Sequence, residues 1–285
     1  MEQDQSVPNS SSTVNRRTIL RATTAAAAGV GAFAATSGTA AAGEKKCGES
    51  LQDAPGWFPW YDIENWEDHG VPWETDEITF YVNGWQSNYD RATSQGYESR
   101  RAMEDAGYWS EVCGLHWNSE TGTWSGGKSK ADDMGEHLAH LIAWMQDNHG
   151  TSIRLVGHSL GARVIGTCLN YLNDWGRSIR SSAFLGGAIA SDSVVEDCGW
   201  WCTGEFYYAI QNASGETHNY HSHEDDVLDS LYTLAEWDRA VGQVGADGSP
   251  PGNYADHDVT HITGEDHCRY YKRNGGCMDW VVSHF

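Results

Sequence analysis

Positive charge is scarce in this chain of 285 residues: 18 Lys and Arg stand against 40 Asp and Glu, a formal net charge of −22, and only five of the cations are Lys. Such a surface repels phosphate backbones, which excludes nucleic acid as an expected partner. Long apolar runs are also lacking. No window nears the ~18 consecutive strongly apolar residues of a membrane span, so a multi-span membrane protein is excluded. No pair of C-x-x-C units occurs, which leaves little for a zinc reading of the cysteines. What is present is apolar and aromatic mass: 39 % hydrophobic residues with 14 Trp, 13 Tyr and 6 Phe, enough for a real core and incompatible with a wholly disordered or collagenous chain. The length allows one catalytic domain, because single α/β domains of about 200–250 residues are common. High acidity with scarce Lys in a folded chain points to a halophile, a protein that must stay hydrated in concentrated salt. An ordinary acidic secreted enzyme is the alternative.

Residues 1–14 are polar, and Asn15-Arg16-Arg17-Thr18-Ile19-Leu20-Arg21 then opens an Ala-rich, weakly apolar stretch ending in Ala40-Ala41-Ala42. A positive start, an apolar middle and small residues at the end make residues 1–42 a secretory signal. The paired Arg resembles a twin-arginine signal, the route that carries folded proteins, so a secreted protein with no stable membrane span after cleavage is expected. A retained anchor is the alternative. Cys47 lacks the small-residue lipobox of a lipidated cysteine. All seven cysteines lie beyond the signal, and seven is odd. Cys168, on an apolar helix face, is the nominated free buried thiol, while the close spacings suggest Cys198 with Cys202 and Cys268 with Cys277 as local staples.

Residues 43–77 carry Trp57, Trp60, Trp66 and Trp73 without a clear period and read as an extended N-terminal segment ahead of a catalytic domain over 78–285. Ile78 to Val82 reads as a strand, 91–106 as a helix, Glu111 to Trp117 as a strand and 118–130 as Gly/Ser/Thr-rich loop. Met134, Leu138, Leu141, Ile142 and Met145 mark one face of a helix that stops at Gly150. Ile153 to Val156 is a strand, Ala162 to Asp174 a helix, Ser182 to Ala188 and Thr217 to His221 further strands. Asp226 to Val241 reads as a helix and Val259 to Ile262 as the last strand, with a short helix from Met278. Strands alternating with helices imply an α/β fold, a mostly parallel sheet with helices on both faces.

Between the strand at 153–156 and the helix at 162–174 stands Gly157-His158-Ser159-Leu160-Gly161. A serine in so sharp a turn projects its hydroxyl above the sheet, and the glycines avoid clashes with the adjoining strand and helix. The Leu160 amide, at a helix N-terminus, is placed to donate to an oxyanion. On this motif the chain resembles an α/β-hydrolase-fold serine hydrolase of the lipase/esterase type, haloarchaeal-like, over roughly residues 76–285. The resemblance implies a second oxyanion amide after the third strand, where this sequence has Asn83-Gly84-Trp85 in place of the usual His-Gly-x, making Trp85 the candidate donor.

The resemblance also implies the order Ser, acid, His. His218 to Leu228 resembles the family's acid loop, and its register selects Asp225 over Asp226, with Asp192 as an outside alternative. For the base, His257, His261 and His267 compete. His267 is favoured because it lies beyond the last strand and opens a His-x-x-Tyr ending with Tyr270. The implied reaction is hydrolysis of a carboxylic ester, without cofactor or metal, on a small-molecule or lipid substrate; the residues themselves fix only acyl transfer, so thioesters or other acyl substrates are the alternative. Two rivals stand beside it. His218, His221, His223, Asp225 and Asp226 crowd a short run, but side chains alternate along a strand, so His218 and His221 should diverge rather than share a zinc ion. An Asp-rich loop at 247–258 reads as solvated surface rather than a calcium site. A non-catalytic binding or cell-surface protein of the same fold is the other rival, with Trp200-Trp201 in the long connection 189–215 lining a binding face or a lid.

Overall fold

β-branched and aromatic residues concentrate in the runs Glu77–Val82, Ser152–His158 and Ile179–Leu185, and nearly every position in them is buried. That is the pattern of strands covered on both faces. The computed structural model describes Cys47, residues 51–197 and residues 203–285. Residues 1–42, where a signal is expected, and Cys198, Cys202, Trp200 and Trp201 lie outside the described residues.

In chain order the strands are β1 (Trp60–Asp62), β2 (Glu67–His69), β3 (Glu77–Val82), β4 (Glu111–His116), β5 (Ser152–His158), β6 (Ile179–Leu185), β7 (Ser214–His221) and β8 (Tyr254–Asp258). The helices are α1 (Tyr89–Asp105), α2 (Trp124–His149), α3 (Gly161–Asp174), α4 (Tyr207–Ala213), α5 (Thr233–Glu236), α6 (Val241–Val244), α7 (Thr260–Thr263) and α8 (Met278–Ser283). The strands form one sheet in the order β2-β1-β4-β3-β5-β6-β7-β8, parallel throughout except for the antiparallel β1–β2 pair. This is an α/β-hydrolase fold.

Alternation along β3 divides the core. Ile78, Phe80 and Val82 join the α2 and α3 side chains Leu138, Ile142, Ile165 and Leu169, whereas Tyr81 joins Met103 of α1 and Met278 and Val281 of α8 on the other face. Two short, charged strands close the sheet. β2 is Glu67-Asp68-His69, all exposed, and β8 exposes Asp256 and Asp258.

Several expectations are corrected. The segment 43–77 is not merely extended: residues 60–69 supply β1 and β2. The last strand is β8, and residues 260–263 are helical: the Val259 amide still bonds to His221 O, but the amides of Ile262, Thr263 and Gly264 then close onto the Val259 and Thr260 carbonyls. α2 starts at Trp124, inside the stretch read as loop, with Thr123 accepting from the Gly126 amide as its cap. The helix expected over 226–241 is broken into a π-helical turn at Leu228–Tyr232, then α5, which ends at Trp237 with φ +56°. The disulfide joins Cys268 to Cys47, not to Cys277. The Cys277 thiol is buried and points instead at the Tyr270 carbonyl, and Cys113 and Cys168 are also buried and free.

Candidate active site

The turn from β5 into α3 holds Ser159 at φ +53°, a left-handed conformation costly for a non-glycine residue and held only by the surrounding structure. The Ser159 amide donates to Leu185 O at 3.0 Å, and its carbonyl accepts from Ala162 and Ala188. Both flanking glycines are sterically required. A Cβ on Gly157 would lie 2.7 Å from Ile165 Cδ1, and one on Gly161 would lie 2.5 Å from Val82 O.

Asp225 follows β7 and is wholly buried, and His267 is 5 % exposed. The structure brings them together: His267 Nδ1 donates to Asp225 Oδ2 at 2.7 Å. Tyr270 Oη donates to the same oxygen at 3.1 Å, and the Leu228 amide donates to Asp225 Oδ1 at 3.0 Å. Burial pulls the His267 pKa down, but the facing Asp225 carboxylate overrides it, leaving the pKa above its ordinary value. His267 Nε2 is buried and has no hydrogen-bond partner. Asp226, by contrast, is exposed, and its amide faces Glu265 O. The two loops are laced together by Ser222 Oγ, which donates to Gly264 O at 2.6 Å.

Gly84 passes directly over the serine, so that a Cβ there would lie 2.8 Å from Ser159 Cβ. The Leu160 and Trp85 amides donate to no backbone oxygen among the described residues. The loop is held by Asn83, which is buried: its Nδ2 donates to Gly84 O and Trp117 O, while its Oδ1 accepts from the Trp117 amide. Ser119 Oγ donates to Gly84 O at 2.7 Å, and the Trp85 indole donates to Thr121. Asn83 thus anchors the 83–85 turn onto the chain that follows β4. A cavity of about 560 Å³ opens beside His267, with Glu224, Asp226, Glu265, Asp266 and Arg269 in its wall.

His158 is the residue that sequence reasoning missed. It sits in the variable position of the serine motif, and its Nε2 donates to the His267 carbonyl at 2.8 Å. No local pattern signals this contact.

The histidine-rich run divides as alternation requires. His218 meets His257 (Nδ1 to Nε2, 2.9 Å), and both rings stack on His284. His221 lies with His223 and Asp258. In each group three ligand-type atoms fall within 4.8 Å of one another, but the first spends ring nitrogens on other histidines and on Tyr220. In the acid-rich run 247–258, Asp256 is engaged by Asn219, Tyr254 and the Ala246 amide.

A family model described as "Protein of unknown function (DUF726)" matches residues 119–281, more than half of the chain. The chain belongs to this family. The DUF726 match takes in Ser159, Asp225 and His267, while Asn83 to Trp85 precede it. No curated protein matches. Among solved structures the chain is similar to a putative α/β-superfamily hydrolase from Xanthomonas campestris pv. campestris, at 11 % identity over 73 % of this chain and 99 % of that one, with a TM-score of 0.39. It is also similar to a structure reported with the metagenome-derived lipolytic enzymes LipS and LipT, at 11 % identity over 82 % and 97 % with a TM-score of 0.42. A pyrethroid hydrolase from Sphingobium faniae aligns at 13 % identity over 74 % and 97 % with a TM-score of 0.41.

Proposed function

We propose that this chain is a serine hydrolase that cleaves carboxylic esters through an acyl-enzyme. The observation that carries the reading is the buried His267–Asp225 pair at 2.7 Å, with the opposite ring nitrogen of His267 unpartnered, and with Ser159 held in a strained turn directly after the His158 that bonds the His267 carbonyl. In the first half-reaction His267 Nε2 takes the Ser159 hydroxyl proton as Oγ attacks the acyl carbonyl. Leu160 and Trp85 amides receive the developing oxyanion, and Asp225 holds the imidazolium in orientation. His267 then returns the proton to the leaving alkoxide. Water, deprotonated by the same nitrogen, releases the acid and restores Ser159. The carboxylates in the wall beside His267 favour neutral or cationic esters over anionic ones.

Export through the twin-arginine route and function in concentrated salt belong to the same proposal. The Arg16-Arg17 start, the Cys47–Cys268 disulfide, which suits an oxidising compartment, and the charge of −22 support it. The test is turnover of p-nitrophenyl esters of rising chain length in molar NaCl beside Ser159→Ala. A loss of about 10³-fold or more in the variant, with fluorophosphonate labelling of the wild type alone, is the expected result. Folded wild-type protein with neither turnover nor label would overturn the reading.

A further inference from the structure

A second cavity, of about 430 Å³, lies at the β1–β2 edge of the sheet and is lined by Tyr61, Trp66, Asp68, Trp73, Leu141 and Trp144. β4 and β3 stand between β1 and the serine-bearing β5, which puts this cavity well away from the candidate active site. Four of its six lining residues are aromatic. The Trp73 ring meets Tyr61 at 5.5 Å and 83°, and meets Trp144 at 5.2 Å and 89°. Rings at right angles wall a space on several sides, whereas coplanar rings offer one flat platform.

The charge of the cavity comes from Asp68. Its Oδ1 accepts from the Val71 amide at 2.8 Å and its Oδ2 from the Trp73 indole at 2.6 Å, so it is fixed in place. Among the described residues no Lys or Arg pairs with it. The nearness of this carboxylate, after burial, raises the Tyr61 hydroxyl pKa.

Trp66 gives an independent sign. It adopts φ +60° in the β1–β2 turn, a left-handed conformation that Gly or Asn adopts with less strain. The indole meets the His137 ring at 5.0 Å yet remains 46 % exposed in the cavity wall, as Trp144 does at 44 %. Backbone strain of this kind clusters at ligand sites.

We propose that this cavity binds a quaternary ammonium group, the trimethylammonium head of a choline-type compound. Indole and phenol faces attract a cation through their quadrupoles, and a fixed carboxylate adds the counter-charge. An alkylated ammonium needs no hydrogen bonds and sheds water readily, so it suits walls made mostly of aromatic rings. A sugar needs several acceptors as well as donors, and here both oxygens of the carboxylate are already held, by the Val71 amide and the Trp73 indole.

The test is calorimetric titration of the full chain in molar NaCl with choline chloride and, separately, with its uncharged tert-butyl isostere. Choline is expected to bind with a dissociation constant of about 1 mM or tighter, and the isostere about 10-fold more weakly or worse. Trp66→Ala, the exposed-helix variant Trp144→Ala, and Asp68→Asn should each weaken choline about 10-fold while leaving ester hydrolysis and the far-UV circular dichroism unchanged. Co-sedimentation with phosphatidylcholine vesicles but not phosphatidylglycerol vesicles, lost in Trp144→Ala, would make a lipid headgroup the source. Choline binding without co-sedimentation would make it a free solute. Equal affinity for choline and the isostere, binding of neither, or heat only with a methyl glucoside would each overturn the proposal.

Discussion

His158 and His267, 109 residues apart, are joined by a 2.8 Å hydrogen bond from the His158 Nε2–H to the His267 main-chain carbonyl. The residue just before the serine therefore holds the loop that carries the proposed base. Burial first, and His267 second, depress the His158 pKa well below its ordinary value, so the ring stays neutral. Removing this tie, in His158→Ala, is expected to lower kcat by about 10–100-fold through misplacement of the His267 ring. KM should change little. Loss of thermal stability with unchanged kcat per folded molecule would reduce the contact to packing.

Asp225 fixes the pH response. The proposed base His267 can take a proton only when neutral, and its pKa is raised, so kcat/KM is expected to climb with pH through a midpoint above ~6.5. In Asp225→Asn that midpoint should fall and kcat should drop by about 10⁴-fold, as a Ser-His-Asp triad does on losing its orienting acid. The sign for stability is opposite. A raised histidine pKa contributes stability that is complete below the unfolded value and lost as pH rises through the folded one. Thermal melts of wild type against Asp225→Asn should therefore converge on moving from pH ~6 to pH ~9.

Gly84 is predicted to tolerate no side chain. An alanine Cβ would lie 2.8 Å from Ser159 Cβ and 3.0 Å from the His158 carbonyl, which forces the 83–85 turn away from the serine. Gly84→Ala should lose about 10²-fold or more in kcat/KM and about 1–3 kcal/mol of stability. Gly122→Ala, with nothing within 4 Å of its added carbon, is the control expected to behave as wild type.

The Cys47–Cys268 bridge spans 221 residues and holds the residue next to His267. Closing so long a loop restricts the unfolded chain strongly, by about 5 kcal/mol in the chain-entropy picture. Cys47→Ser, or the wild type under reductant, should melt many degrees lower. Peptide mapping should find Cys47 linked to Cys268, with Cys277 alkylated only after unfolding.

Much of this arrangement was readable in the sequence because the carriers are local. The serine turn is five adjacent residues, and the register of its acid loop selects the aspartate that His267 meets. What escaped reading is non-local or masked by composition. The first turns of α2 look like loop because they are rich in Gly, yet Gly127 and Gly135 let Trp85 and Thr167 pack against the helix, where a Cβ would lie within 2.8 Å and 2.5 Å of them. The helix expected over 226–241 has an even apolar spacing, but the chain must bend at Trp237 to bring Gly242 against Gly186 and Gly187. β8 is an edge strand with alternating exposure and acidic side chains, so its residues look like loop while the apolar ones after it look like strand. The disulfide partner of Cys268 has no local signature at all.

The two charged border strands have a consequence for crowding. At about 1 M salt the Debye length is only ~3 Å, so a net charge of −22 no longer keeps neighbouring molecules apart. Stripping water from a carboxylate remains costly at any ionic strength. Glu67 and Asp68 on β2, and Asp256 and Asp258 on β8, place that cost where another chain would have to add a strand. In brine, this molecule resists fibre-like growth of its sheet through the hydration of four side chains rather than through its overall charge.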